Sequence, residues 1–167
     1  MTPNTPNKLT VKPVWLVAFS GHRPKPGELG RSREAIEGCR DSLRMVFEEL
    51  QASAANHGGN IELISSLAEG ADLLAIGVAD ELGVPVHLNL PMSPEEFAAD
   101  FDQQDPHSAE AWAMAQAFIE KTSAKESNWT CRIATGDSAR PGCYHDTNLQ
   151  ILEAADVLVT VNNENPS

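Results

Sequence analysis

Apolar positions along the chain switch between two spacings, and the switching predicts strands and helices in turn. Val14-Trp-Leu-Val-Ala-Phe19 is an uninterrupted apolar run closed by Ser20-Gly-His-Arg-Pro24, as expected for a strand buried on both faces of a parallel sheet. From about Arg31 to Ala55 the spacing lengthens. Ile36, Cys39, Leu43, Val46, Phe47 and Leu50 recur at three- and four-residue steps and draw one stripe along a helix, which Asn56-His-Gly-Gly59 stops. Ile61 to Ser65 predicts a second strand and Val84 to Leu90 a third, with a helix between them carrying Leu67, Ala71, Leu74, Val78 and Leu82 on one face.

Ser93-Pro94-Glu95-Glu96 then combines an N-cap, a proline at the first helical position and a glutamate at the third, and so starts a short helix that Phe97 and Phe101 anchor by an i, i+4 contact. A second cap at Ser108 opens a helix to about Lys125, packed by Trp112, Ala115, Phe118 and Ile119. Trp129 to Thr135 alternates apolar and polar residues, which suits a half-exposed edge strand. A helix from about Tyr144 to Ala155 leads into Asp156-Val-Leu-Val-Thr-Val161, read as another buried strand. Strands alternating with helices predict an α/β fold, a Rossmann-like three-layer sandwich around a mostly parallel central sheet.

Length and composition narrow this picture. With 167 residues and 41% hydrophobic content the chain suits one domain, expected over 13–167 behind a flexible tail at 1–12. Such a domain rarely stops just past the carboxyl end of a central strand, so Asn162 to Ser167 is expected to lead, in the parent architecture, into a loop and helix that this chain lacks. A net charge of −12 opposes a broad nucleic-acid-binding face, which needs clustered Lys and Arg, but leaves room for a small anion in a local pocket. No apolar run of about 18 residues is available to cross a membrane. Three widely spaced cysteines, Cys39, Cys131 and Cys143, favour reduced thiols in a cytosol over a disulfide framework. Cys131, Cys143 and His145 lack the paired spacing of zinc sites, so neither metal nor cofactor is expected.

Parallel strands hold ligands at their carboxyl ends, where helix N-termini offer free N–H groups. Three such ends are candidates: Ser20 to Arg23, Ser65 to Asp72, and Leu90 to Met92 with Pro91. The first gathers Arg23, Lys25, Arg31 and Arg33, an excess of cations that suits an anion and that a solvated loop explains equally well. His22 has the chemistry of a phosphate donor or an acid–base group, against the commoner structural role of a lone turn histidine. In the second turn Gly70 permits close backbone approach, and Glu69 or Asp72 could meet a ribose hydroxyl, although acids near a helix N-terminus are stabilising whatever the function. Glu96 fits a general acid, base or nucleophile, while its place in the capping box explains it more cheaply.

Phe19-Ser-Gly-His-Arg-Pro24, Leu67-Ala-Glu-Gly-Ala-Asp72 and Leu90-Pro-Met-Ser-Pro-Glu-Glu-Phe97 with Asp100-Phe101, taken in this order, resemble the SLOG superfamily, and the Tyr144 helix and the strand ending at Val161 fit it too. The resemblance implies a Rossmann-like domain for nucleotides or nucleotide-derived ligands, in a superfamily that spans LOG-type phosphoribohydrolases and non-catalytic sensors, including sensor domains of bacterial defence systems. It also implies that Ser20, Gly21, His22 and Arg23 contact a phosphate and that Ala68, Glu69, Gly70 and Asp72 form a second wall. The Pro-Gly-Gly-x-Gly-Thr segment and following Glu of LOG enzymes do not occur here. The expectation therefore shifts from N-glycosidic hydrolysis or transfer by Glu69 or Glu96 toward a cytoplasmic, homo-oligomeric binding or sensing module, with a structural subunit carrying a vestigial pocket as a third reading. A more distant similarity to DNA-processing protein A, which binds single-stranded DNA on a basic surface, conflicts with the acidic charge.

Overall fold

The computed structural model describes residues 12–21, 32–134, 139–140 and 142–161. The expected N-terminal tail up to residue 11 and the stretch from Asn162 onward lie outside them. Five strands, β1 (Val14–Gly21), β2 (Asn60–Ser65), β3 (Val86–Leu90), β4 (Thr130–Ile133) and β5 (Val157–Val161), form one sheet in the order β4-β3-β2-β1-β5. Every pairing is parallel, so the sheet is the one an α/β sandwich requires.

The helices are α1 (Arg33–Asn56), α2 (Ala71–Glu81), α3 (Pro94–Phe97), α4 (Pro106–Thr122) and α5 (Gly142–Ala154), with a 3₁₀ turn at Ala98–Asp100 after α3. Their placement follows from handedness. Parallel crossovers are right-handed, so the run β1 to β4 puts its helices on one face, and the return to β5 puts α5 on the other. The first face holds the main core, where Val17, Phe19, Leu63 and Leu88 meet Leu43, Phe47, Ile76 and Ala115. Under α5 a smaller cluster joins Ala18, Ile64 and Ile151.

The α1 stripe is narrower than its spacing predicts. Leu43 and Phe47 are buried and would each contribute about 2–3 kcal/mol, whereas Val46 is exposed because the partner helix α2 covers only one side. Arg40 and Arg44 both pair with Glu81 across that contact, and Lys121 pairs with Asp80 while lying over the Trp129 ring. The Phe97–Phe101 contact forms as expected, edge to face with ring centroids 5.5 Å apart.

Three local expectations are corrected. Helix α4 begins at Pro106 with Asp105 as its cap, the Asp105 carboxylate accepting from His107 N–H at 3.1 Å, so Ser108 lies inside the helix. Leu67 belongs to the turn before α2, not to the helix, and its backbone is left-handed at φ 65° with its side chain fully buried. Strand β5 is an edge strand with alternate residues exposed, because the chain returns to the outside of β1 instead of inserting between strands. The edge position expected for β4 is observed.

Candidate functional site

The strand order reverses between β1 and β5, which makes their carboxyl ends the topological switch point of the sheet. Ser20 and Gly21 stand there, both exposed. His22, Arg23, Lys25 and Arg31, expected beside them, lie outside the described residues. Arg33 pairs with Glu37 one turn along α1 at 2.8 Å and is strongly exposed, the arrangement of a solvated helix face. Gly21 has a packing reason to be glycine: a Cβ there would collide with the Ala71 methyl. The ends of β1 and α2 are thus in direct contact, and two of the three expected walls are adjacent.

The turn after β2 is occupied by its own hydrogen bonds. Asp72 is 6% exposed, and its Oδ2 accepts from Ser66 Oγ at 2.8 Å, Ser65 Oγ at 3.2 Å and Ala68 N–H at 3.4 Å. This carboxylate sits in the first turn of α2, where the helix dipole favours a negative charge, so the position an incoming anion would seek is already held by an acid. Glu69 is 5% exposed and accepts from Ser108 Oγ at 2.9 Å; the same Ser108 oxygen accepts from Asp102 N–H at 2.9 Å. Gly70 takes φ 96° to turn the chain into α2, a conformation that costs side-chain-bearing residues energy. Leu67, left-handed two residues after β2, holds a conformation that costs about 1–2 kcal/mol for an L-residue, offset by complete burial of its side chain.

Open volume lies on the other side of Pro91. A cavity of about 380 Å³ opens between the end of β3, the end of β4 and the start of α5, lined by Pro91, Met92, Glu96, Ala134, Arg140 and Cys143 among others. A small cleft of about 40 Å³ lies beside it, bounded by Ser66, Ala68, Pro91 and Tyr144. Pro91 walls both, whereas Ala68, the other expected residue here, borders only the small cleft. Glu96 also reaches the cavity, while its own N–H donates to Ser93 Oγ at 3.3 Å and that hydroxyl donates to Glu96 Oε2 at 3.1 Å. The capping role is therefore real, and the carboxylate remains exposed.

A clasp that the sequence did not flag as a site closes this side. Arg140 donates to Asp100 Oδ1 at 2.6 Å, to the Glu96 carbonyl at 2.6 Å and to the Tyr144 hydroxyl at 3.1 Å, and it also contacts the Met92 sulfur. The Tyr144 hydroxyl donates to Asp100 Oδ2. Burial and this bond to Asp100 push the Tyr144 phenol up to about 12. The same carboxylate raises the Arg140 guanidinium above its ordinary value. Only the aromatic at the head of a helix and the acid four residues past Glu96 could have drawn attention to it. Neither spacing carries a motif.

Elsewhere on the α5 face, toward the amino ends of the strands, Glu62, His87 and Thr130 form a cross-strand row. Glu62 Oε2 lies 2.6 Å from His87 Nε2, and Thr130 Oγ1 lies 2.7 Å from His87 Nδ1. Next along, Arg132 Nε donates to Asn89 Oδ1 at 2.8 Å, while the buried Asn89 Nδ2 has no hydrogen-bond partner among the described residues. No cavity described above reaches this row. Among the described residues no three His, Cys, Asp or Glu side chains are placed to hold a metal ion, Cys39, Cys131 and Cys143 are free, and no helix is long and apolar enough to cross a membrane. Compared with known proteins, the chain matches no family model and no curated sequence.

Proposed function

We propose that the chain is a cytosolic, self-associating SLOG-like module that binds a nucleotide or a related small anion at the carboxyl ends of its parallel strands. The observation that carries this reading is the cavity beside Pro91. Its volume of about 380 Å³ is in the range of small-molecule sites. It lies where parallel sheets place ligands, and it opens onto the N-terminal end of α5, whose first turn carries no acidic residue. Arg140 stands two residues before that helix as the nearest described cation.

Isothermal titration against nucleoside mono- and diphosphates and inorganic phosphate tests the proposal. Binding of at least one nucleotide is expected, weakened about tenfold or more by Arg140→Ala, which removes the charge-assisted bonds, and by Ala134→Trp, which fills the cavity. Absence of binding, or affinity indifferent to both substitutions, would refute it. Glu96 is the carboxylate that fits the alternative of N-glycosidic cleavage, since Glu69 is buried against Ser108. Base release from nucleoside monophosphates that disappears in Glu96→Gln would establish that alternative.

A further inference from the structure

The polar groups around the cavity beside Pro91 differ in how far the fold already uses them. Both terminal nitrogens of Arg140 are engaged in the clasp, one with Asp100 and the Tyr144 hydroxyl, the other with the Glu96 carbonyl and the Met92 sulfur. Glu96 Oε2 accepts from Ser93 Oγ. Asp146, on α5, lines the same cavity and is half-buried, yet neither of its carboxylate oxygens has a hydrogen-bond or ion-pair partner among the described residues.

Nothing in the helix explains an acid at this position. With Gly142 first, Asp146 is the fifth residue of α5, past the turn where the helix dipole favours a negative charge. Aspartate is also a weak helix former away from a cap. A half-buried carboxylate without donors forgoes hydration, which costs free energy unless something else donates to it. Asp72, by contrast, accepts from two hydroxyls and an N–H of its own turn. Asp146 is thus an acceptor that the fold leaves open in the cavity wall.

Its place relative to the start of α5 restricts the donor. Helix α5 leads from the carboxyl rim back to the amino end of β5, and at about 1.5 Å per residue Asp146 stands about 6 Å below Gly142. An anion at the α5 start meets free N–H groups and the charge of Arg140, whereas one in contact with Asp146 meets repulsion. The ligand therefore needs its charge at the mouth and neutral donors one helical turn deeper. A nucleoside 5′-phosphate has that order of groups, because the polar groups next along from its phosphate are the ribose hydroxyls. Vicinal 2′- and 3′-hydroxyls can each donate to one oxygen of a single carboxylate.

We infer that Asp146 accepts hydrogen bonds from the ribose 2′- and 3′-hydroxyls of a nucleotide whose phosphate sits at the start of α5, and so selects ribonucleotides over 2′-deoxyribonucleotides. This rests on the nucleotide reading above and names the sugar that the cavity takes.

Isothermal titration of the full chain against ribonucleoside 5′-monophosphates and their 2′-deoxy counterparts tests the contact. The ribonucleotide is expected to bind about tenfold or more tighter than its 2′-deoxy form, since loss of the hydroxyl leaves a carboxylate oxygen without its donor. Asp146→Asn, which keeps the shape and removes the charge, should weaken the ribonucleotide about tenfold and the deoxy form by no more than about threefold, erasing most of the preference. Thermal unfolding should place this variant at or above the parent, because the fold makes no bond to the carboxylate. If no nucleotide binds, the nucleotide reading falls and this contact falls with it. If both sugars bind alike, or the preference survives Asp146→Asn, the contact alone is overturned and the nucleotide reading stands. A lower melting temperature with equal weakening of both sugars marks Asp146 as structural and likewise overturns the contact.

Discussion

The turn after β2 and the rim made by β3, β4 and the start of α5 lie side by side, joined at Pro91, and their polar groups are used differently. In the turn, Asp72 and Glu69 are buried and bonded to hydroxyls and N–H groups of the same fold. On the rim, Glu96 and Arg140 border open volume and stay exposed. Both stretches occupy the position where parallel sheets hold ligands, yet only the second has room for one. A carboxylate at a helix N-terminus is thus a poor guide to binding until its hydrogen bonds are counted.

Substitutions in the two stretches should separate them, the first acting on stability and the second on binding. Asp72→Ala leaves two hydroxyls and an N–H without their acceptor, and should lower unfolding free energy in urea by about 3 kcal/mol. A loss near zero would mean that the turn is not locked. Gly21→Ala should cost about 2 kcal/mol through overpacking against Ala71, and much of that should return in the double variant with Ala71→Gly. Ser108→Ala, which strips partners from both Glu69 and Asp102 N–H, should cost about 1.5 kcal/mol.

The rim should respond least. Arg140→Ala, which breaks the ion pair to the mostly buried Asp100 and the bond to the Glu96 carbonyl, should lower the unfolding free energy by only about 1 kcal/mol while weakening the ligand. Tyr144 provides a pH test, being the one tyrosine of the chain. Its folded pKa of about 12 stands above the unfolded value of 10.0, so the fold favours the protonated phenol. The resulting stability is fully present below pH 10 and declines as pH rises toward about 12. Absorbance titration should find the phenol ionising above pH 10 in the folded chain, and Tyr144→Phe should remove that part of the alkaline loss.

Much of the fold is legible from periodicity. The apolar run at Val14 to Phe19, the Ser93-Pro94 start and the Phe97–Phe101 pair each depend on neighbours within a few residues, and each is observed. The errors concern tertiary placement. Val157 to Val161 is as apolar as a central strand, and nothing local tells that the chain has returned to the edge of the sheet. Ser108 has cap chemistry, but Asp105 three residues earlier precedes a proline and takes the role. At the site, Ala68 and Pro91 could be anticipated because strand ends are predictable. The Arg140–Asp100–Tyr144 clasp could not, since its members are separated by 40 or more residues between Asp100 and the α5 end.

The contact between Gly21 and Ala71 has a consequence for how such chains diverge. The space there admits roughly one methyl group, shared between a strand end and a helix start fifty positions apart. Drift at either position is therefore constrained by the other. Among descendants of this chain, a larger residue at one should be accompanied by a smaller one at the other, a covariation that would identify the two turns as neighbours without any coordinates.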